Sequence, residues 1–152
     1  MTRAGRGRQA MAYWLVKSEP FKYSWDRLVK EGRTHWDGVR NHQAANNLKA
    51  MKVGDRAFFY HSNEGLAVIG VCAIVREAYP DPSDASGRFV MVDVAPVAPL
   101  PRPVTLAEIK ATPALAEMAL IRQSRLSVMP VSAAHWKEIC RLGGWPGGKV
   151  PA

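Results

Sequence analysis

The chain has 152 residues, 47% of them hydrophobic, which predicts one folded domain with its own core and excludes global disorder. Its formal net charge of +8 favours an anionic partner, with nucleic acid ahead of an acidic membrane surface. No apolar run approaches the ~18 residues that a transmembrane helix requires, and no apolar signal segment follows the basic start, so we expect no membrane association.

Both ends of the chain differ in composition from its middle. Residues 1–11 contain three arginines among glycines and small residues, and they predict a flexible basic tail. A dispensable tail is favoured there over a basic arm on a phosphate backbone. Residues 145–152 are rich in proline and glycine and predict a loose C-terminal tail. The folded domain is therefore expected over residues 12–144.

The first third of the chain predicts two strands around a short helix. Alternating residues at 12–17 predict a strand that ends before a proline, because proline donates no ladder hydrogen bond. Ser24 suits the N-cap of a helix over residues 25–31, and Gly32 suits its end. Residues 34–36 are predicted to be extended.

The middle of the chain predicts a helix and two strands. Good helix formers at 40–51 are followed by a turn at 52–55 and by an aromatic strand at 56–61. A near-continuous apolar run at 66–75 predicts a central strand, in which Gly70 marks a bulge or a close approach of another element.

A proline-rich stretch follows the predicted central strand. Residues 76–87 predict a long loop, and residues 89–94 predict another strand. The four prolines from 96 to 103 exclude a helix and predict an extended segment at a sheet edge.

The last third of the chain predicts mostly helix. A capping box at Thr105 opens a helix to residue 111, and shorter helical turns are predicted over 113–118. A strand over 127–130 precedes a final helix over 133–142, for which Ser132 suits the N-cap. Strands interleaved with short helices, without a regular strand–helix–strand rhythm, predict an α+β fold with a mostly antiparallel, barrel-like sheet.

The two cysteines, Cys72 and Cys140, occur in apolar runs and not at a metal-ligand spacing. Buried thiols are therefore favoured over a disulfide, which fits a reducing compartment. We expect a soluble, intracellular, cytoplasmic protein that is monomeric.

Nothing in the sequence supports catalysis. The four histidines form no cluster, and the neighbours His61 and Ser62 point to opposite faces of a predicted strand instead of forming a dyad. No nucleophile elbow, zinc-protease motif, P-loop or Rossmann glycine pattern is present. We therefore expect no enzyme activity, no metal and no cofactor.

A site for a nucleobase needs flat aromatic surfaces, groups that read a base edge and cations for phosphate, and the chain has all three. The stacking candidates are Trp14 and Trp36, with Tyr60 in support. The candidate edge readers are Ser18, Asn41, Ser62 and Asn63. The candidate cations are Lys17, Arg40, Arg122 and Arg125.

Several of these residues suit a structural role equally well. Trp14 fits a core position as well as a stacking one, and Asn41 fits a helix N-cap as well as a base reader. Arg122 and Arg125 fit ordinary solvated charges. Polar residues nevertheless interrupt the strand-like pattern there, which favours function for Arg125 and Ser127.

Four blocks of sequence occur in an order that resembles a known family. They are Y-W-L-V-K-S-E-P at 13–20, W-D-G-V-R-N at 36–41, K-V-G-D-R-A-F-F-Y-H-S at 52–62 and R-Q-S-R-L-S-V at 122–128. Together they are similar to the EVE domain family, of the PUA-like fold superfamily, over about residues 12–142. The resemblance implies an EVE domain over residues 12–144, with a curved PUA-like β-barrel flanked by short helices.

The resemblance also implies a pocket for one modified base. EVE domains resemble YTH and ASCH domains and are regarded as readers of modified bases, such as 5-methyl- or 5-hydroxymethyl-cytosine in DNA, with RNA as an alternative. Besides the residues above, the matching positions add Val39, His61 and Leu126 to an aromatic-walled pocket. The family often has an aromatic residue where His42 stands, so ligand preference would differ if that position lined the pocket.

Two other functions stay open at this point. An enzyme acting on a modified nucleotide would be favoured if two titratable groups, such as His61 and Glu19, converged on the pocket. A protein that binds a free nucleoside would show weak salt dependence, because it makes few of the phosphate contacts that release counterions.

Overall fold

The computed structural model describes residues 11–145, so most of both predicted tails lies outside the described residues. No helix in this part of the chain has the length and hydropathy needed to cross a bilayer. The elements, with a 3₁₀ turn at Pro113–Leu115, are β1 (Tyr13–Ser18), α1 (Trp25–Glu31), β2 (Thr34–Trp36), α2 (His42–Ala50), β3 (Arg56–His61), β4 (Ala67–Pro80), β5 (Val90–Thr105), α3 (Leu106–Ala111), α4 (Ala119–Arg122), β6 (Val128–Val131) and α5 (Ala133–Leu142).

The strands form one mixed sheet in the order β2-β5-β4-β3-β1-β6. β1 and β3 run parallel, with Lys17 beside Tyr60 and Ser18 beside His61, and the other neighbouring pairs are antiparallel. β2 and β6 are the two edges, and no ladder joins them within the described residues. The α+β class and the mostly antiparallel sheet are confirmed, whereas the barrel is not closed.

Bulges bend the two longest strands. The register between β4 and β5 shifts at several points, one of them between Val68 and Gly70. Such bulges bend and twist a strand, so that a long sheet curls around its own core. A Cβ atom at Gly70 would lie 2.7 Å from the Trp25 ring. The predicted close approach at Gly70 is thus confirmed, and it lets α1 pack tightly on β4.

The neighbours Phe58 and Phe59 divide the core into two layers, because adjacent strand residues point to opposite faces. Phe59 meets Trp25 and Trp36 edge-on, with ring centroids 5.5 and 5.6 Å away. Phe58 stacks on Trp136 of α5 at 3.8 Å. One face of the sheet therefore holds an aromatic core beside β2, and α5 covers the other.

Helix boundaries follow the predicted caps. Ser24 Oγ accepts a hydrogen bond from the Arg27 N–H at 3.1 Å, and Gly32 ends α1 in the left-handed region. Thr105 forms the predicted capping box of α3, and Ser132 caps α5. Each such cap stabilises a helix end by about 1 kcal/mol, which explains why these boundaries were predictable and are confirmed.

One prediction for the second half of the chain is wrong, and another is confirmed only in part. β4 continues through much of the predicted loop and ends at Pro80, because Tyr79 pairs with Met91 and its ring packs under the Arg76 guanidinium at 3.5 Å. The helix predicted over 113–118 is a 3₁₀ turn, and the four-residue helix α4 follows it.

The C-terminal boundary also shifts. Trp145, predicted as the first residue of a loose tail, is buried, and its backbone N–H donates to the Cys140 carbonyl at 3.0 Å. Trp145 therefore packs with the core. Cys72 and Cys140 are buried and unpaired, as predicted, and burial raises the pKa of each thiol to about 12. Both thiols are consequently poor nucleophiles.

Candidate functional site

A cleft of about 820 Å³ opens where the two edges of the curled sheet approach each other without pairing. One wall comes from β2, and the other from the ends of β1 and β3 and the segment before β6. Its volume lies within the ~300–1,000 Å³ typical of ligand sites. Six of the residues predicted from the sequence line it: Lys17, Ser18, Trp36, Ser62, Arg125 and Ser127.

Trp36 and Tyr23 form an aromatic wall of the cleft. The Trp36 ring meets Tyr23 and Phe59 edge-on, at centroid distances of 6.3 and 5.6 Å. Trp36 is only 9% exposed, so its position is fixed by the core. Its indole N–H has no hydrogen-bond acceptor among the described residues.

Two side chains of α1, Arg27 and Glu31, hold the Tyr23 ring in place. The Tyr23 hydroxyl donates to Glu31 Oε1 at 2.7 Å, and Arg27 Nε donates to Glu31 Oε2 at 3.0 Å. The Arg27 guanidinium also lies 5.1 Å from the Tyr23 ring centroid. The hydrogen bonds from Tyr23 and Arg27 lower the pKa of Glu31, whereas burial raises the pKa of Tyr23. Tyr23 is therefore a neutral phenol that donates to the ionised Glu31 carboxylate, and Arg27 balances the negative charge of that carboxylate.

The end of β1 is ordered by its own hydrogen bonds. Ser18 Oγ donates to the Tyr23 carbonyl at 2.5 Å, and the Ser18 carbonyl accepts from the Ser62 N–H at 2.9 Å. Lys17 Nζ donates to the Ser124 carbonyl at 2.7 Å. Partial burial lowers the pKa of Lys17. Ser18 thus orders the loop that leads to Tyr23, and Lys17 ties β1 to the segment before β6.

The cations on the cleft differ in whether a carboxylate neutralises them. Lys22 and Arg27 each lie beside a glutamate, at 3.9 and 3.0 Å. Lys17 and Arg125 have no carboxylate partner within residues 11–145, and Arg125 is exposed. An unpaired cation keeps its full attraction for an anion, so these two residues make one side of the cleft positive.

Two hydroxyl groups complete the polar lining. Ser62 and Ser127 are half-buried, and neither side chain makes a hydrogen bond within the described part of the chain. The Ser127 carbonyl accepts from the Lys17 N–H at 3.0 Å, which fixes the backbone around that hydroxyl. Both hydroxyls are therefore available to a ligand in the cleft.

Nine of the predicted site residues do not line the cleft, and the first four of them are Trp14, Val39, Tyr60 and His61. The first three are buried in the core. The Trp14 indole N–H donates to Asp55 Oδ2 at 3.0 Å. His61 Nε2 accepts from the Trp25 N–H at 3.2 Å, and burial lowers the pKa of the imidazole. His61 is therefore a neutral group that orients the start of α1.

The remaining predicted residues also lie outside the cleft: Arg40, Asn41, Asn63, Arg122 and Leu126. Arg40 Nη1 donates to the buried Asp81 at 3.1 Å. Burial acts to raise the pKa of Asp81, but hydrogen bonds from Ser83, Gly38 and Arg40 lower it to about 2. Arg40 thus stabilises the connection between β2 and α2.

The other four have separate places in the fold, and Leu126 is one of the buried core residues. Asn41 Oδ1 accepts from the Ala44 N–H at 2.9 Å, so Asn41 is the N-cap of α2. Asn63 occupies a turn with a positive φ of 73°. Arg122 lies 3.5 Å from Glu117 on the surface.

A smaller cavity of about 270 Å³ shares Ser124 and Arg125 with the cleft. Its other lining residues are Asn41, Gln43, Gln123 and Leu126. His42, which replaces the family's frequent aromatic residue, lines neither cavity, and its ring lies 5.1 Å from the Phe89 ring.

The cleft residues that sequence reasoning missed belong mostly to the segment 19–37. Tyr23, Arg27 and Glu31 recur every four residues, which is the spacing of neighbours on one helix face. That spacing was a usable signal once the helix had been predicted.

Glu19 and His61 do not converge on the cleft, although other titratable side chains, among them Glu31 and His35, line it. Glu19 lines the cleft, but His61 does not. Among residues 11–145 no three or more histidine, cysteine, aspartate or glutamate side chains are grouped so that they could hold a metal ion. The absence of a metal and of a cofactor stays a prediction.

A bent, open, mostly antiparallel sheet with short helices and a cleft between its edges defines the fold of this α+β domain. The YTH domain of the Zygosaccharomyces rouxii MRB1 protein shares this fold, with a TM-score of 0.56 at 18% identity over 90% of this chain and 89% of that one. The family model of the EVE domain matches residues 12–142. The chain belongs to the EVE domain family.

Two proteins that are more similar in sequence share this fold, one bacterial and one human. The NMR structure of a Rhodopseudomonas palustris protein is 58% identical, with a TM-score of 0.84 over 88% of this chain and 94% of that one. Thymocyte nuclear protein 1 of Homo sapiens is 39% identical over 86% of this chain and 73% of that protein. The crystal structure of human THYN1 in complex with 5-methylcytosine-containing DNA has a TM-score of 0.82 at 35% identity, over 92% of this chain and 99% of that one.

Proposed function

We propose that this chain is a nucleic-acid-binding module that holds a modified cytosine, of the 5-methyl or 5-hydroxymethyl type, in the cleft. The observation that carries the proposal is the likeness to human THYN1, which was solved with 5-methylcytosine-containing DNA and is 35% identical over 92% of this chain. The cleft supports it with an aromatic wall, available hydroxyls and two cations without carboxylate partners in the described residues.

Each group on the cleft suits one part of a nucleotide. Trp36 forms the apolar wall against which the base packs, and stacking of this kind is worth ~1–3 kcal/mol. In this proposal the Ser62 and Ser127 hydroxyls form hydrogen bonds with the base edge. Lys17 and Arg125 attract the flanking phosphates, which makes binding sensitive to salt.

The size of the expected discrimination follows from the size of a methyl group. Burying one methyl contributes ~0.8 kcal/mol, about fourfold in affinity. Stronger selection of the modified base requires a pocket fitted around the substituent or a polar group paired to it. A measured ratio well above fourfold would therefore mean that the cleft fits the substituent.

In this proposal the protein is a cytoplasmic monomer that binds nucleic acid without catalysing a reaction. The Tyr23 hydroxyl and Glu31, which are the titratable groups closest to the aromatic wall, are hydrogen-bonded to each other at 2.7 Å. The two buried, unpaired thiols suit a reducing compartment. An oligonucleotide recovered from the protein should therefore have an unchanged mass, and light scattering should give the mass of one chain.

The proposal is tested with fluorescent oligonucleotides that differ at one position, which holds cytosine, 5-methylcytosine, 5-hydroxymethylcytosine, adenine or N6-methyladenine. Affinity is measured at two salt concentrations, with DNA and RNA versions of each sequence. We expect one modified cytosine to bind tenfold or more tightly than cytosine, a difference of ~1.4 kcal/mol. Equal, salt-sensitive binding to all would indicate a non-specific basic surface. Binding of the free nucleoside alone would indicate a small-molecule pocket.

A further inference from the structure

One exposed side chain beside the cleft has no role in the core. Phe21 is 67% exposed, the largest exposed fraction among the large hydrophobic residues that the structure describes. Single exposed apolar residues are common on protein surfaces, so exposure alone carries no meaning. The position of Phe21 is the informative feature, because Glu19, Lys22 and Tyr23 on either side of it line the cleft.

The turn that carries Phe21 is held in one shape. The Glu19 carbonyl accepts hydrogen bonds from the N–H groups of Lys22 at 3.0 Å and Tyr23 at 2.9 Å. Pro20 and Phe21 therefore occupy the centre of the turn, where proline pre-sets the backbone angle of the first central residue. The turn therefore fixes the backbone of Phe21 next to residues that line the cleft, and the Phe21 ring is exposed to solvent.

A cation accompanies the ring. Lys22 Nζ lies 5.9 Å from the Phe21 ring centroid and 3.9 Å from Glu19, and its side chain is exposed. An apolar ring suits the space between stacked bases, and an ammonium group beside the ring suits a phosphate of the DNA backbone.

A duplex presents a physical obstacle to the proposed function. A base in a duplex can enter the cleft only after it has left the base stack. The gap that it leaves in the stack favours its return. Proteins that unstack DNA commonly insert an apolar side chain into the opened step. An exposed ring next to residues that line the cleft suits that gap while the base occupies the cleft.

We propose that Phe21 is a wedge that enters a DNA duplex where the modified base has been extruded, so that this protein takes its base from double-stranded DNA. The proposal rests on the proposed function, since a wedge is needed only if a base enters the cleft. It adds that the ligand is double-stranded DNA, and it names Phe21 as the residue on which duplex binding depends.

The test compares two ligands and three variants. The ligands are a duplex with one 5-methylcytosine and the single strand of the same sequence, each with a reference version that has cytosine at that position, at one salt concentration. Phe21→Ala removes the wedge, and Phe21→Trp keeps an aromatic ring. Val53→Ala is the matched control, because Val53 is 59% exposed and lies in the turn before β3, at the opposite end of the sheet from the cleft.

Phe21→Ala should bind the duplex at least tenfold more weakly and the single strand within about twofold of the wild type. Phe21→Trp and Val53→Ala should match the wild type on both ligands. A 2-aminopurine placed next to the modified base should brighten on wild-type binding and brighten less with Phe21→Ala, which reports unstacking directly.

Three results would overturn the wedge: an unchanged duplex affinity in Phe21→Ala, an equal loss on both ligands, or a wild type that binds the single strand and not the duplex. Failure of the proposed function looks different. In that case the wild type would not distinguish 5-methylcytosine from cytosine in either the duplex or the single strand.

Discussion

Tryptophan side chains lie near both ends of the parallel pair β1 and β3, but their indole N–H groups differ in whether the fold supplies a hydrogen-bond acceptor. At the N-terminal end, the buried Asp55 accepts hydrogen bonds from the Trp14 indole N–H at 3.0 Å and from the backbone N–H of Lys52 at 2.9 Å. At the C-terminal end, the indole N–H of Trp36 and the hydroxyl of Ser62 have no hydrogen-bond partners in the described chain.

The difference separates a structural cluster from a binding site. Polar groups that are satisfied internally stabilise the fold, because each would cost ~1–3 kcal/mol if left unpaired in the core. Polar groups on an open cleft cost little while water reaches them, and they remain available to a ligand. A tryptophan near polar residues is therefore ambiguous until its hydrogen-bond partners are known.

Replacing Trp36 should have the largest effect, because the ring is both a cleft wall and a core residue. Trp36→Ala is expected to lower the free energy of unfolding by ~3–5 kcal/mol, measured by urea titration, and to remove discrimination between modified and unmodified cytosine. The control is Trp14→Phe, which changes the other end of β1 and should keep full discrimination. If folded Trp36→Ala still discriminated, Trp36 would not contact the base.

Removing Asp55 should affect stability and leave the cleft alone. Asp55→Ala leaves unpaired one buried donor, at Trp14, and two part-buried donors, at Lys52 and Ala12, so we expect a loss of ~2–3 kcal/mol in urea unfolding. Affinity per folded molecule should stay within twofold of the wild type. Asp37→Ala, at an exposed carboxylate on the cleft, should change stability by less than ~0.5 kcal/mol. Weaker binding by folded Asp55→Ala would show that the two ends are coupled.

Local signals made much of the scaffold predictable from the sequence. Ser24, Thr105 and Ser132 act within a few residues of themselves, and each helix begins where its cap predicts. Long-range pairing was harder to predict. The Tyr79–Met91 pair extends β4 into a stretch whose proline, glycine and aspartate content indicates a loop.

The cleft was harder to predict than the scaffold, because its walls come from the two edges of the sheet. Trp36 of β2 and Ser127 before β6 are far apart in the chain, and they share a site only because the sheet curls. The blocks that resemble the EVE domain identified the right strand ends. They did not distinguish side chains on the cleft from those, such as His61, that support it from behind.

Arg125 and Arg122 test whether a cation on the cleft without a carboxylate partner contributes more to binding than a cation that already has one. Arg125→Ala removes a cation without a carboxylate partner in residues 11–145, whereas Arg122→Ala removes one that lies 3.5 Å from Glu117 and outside the cleft. Both variants lose one charge. If Arg125 contacts phosphate, its removal should weaken binding by about 1 kcal/mol, roughly fivefold, and flatten the logarithmic salt slope by about 0.9.

Arg122→Ala should change neither the affinity nor the slope by as much, because its charge is already partly neutralised and lies outside the cleft. Equal effects of the two variants would mean that the overall positive charge, and not a contact on the cleft, sets the salt dependence. A flattened slope for Arg125→Ala alone would place a phosphate at the rim formed by the segment before β6. The bound strand would then run past Ser124 and Arg125, the residues that the cleft shares with the smaller amide-lined cavity.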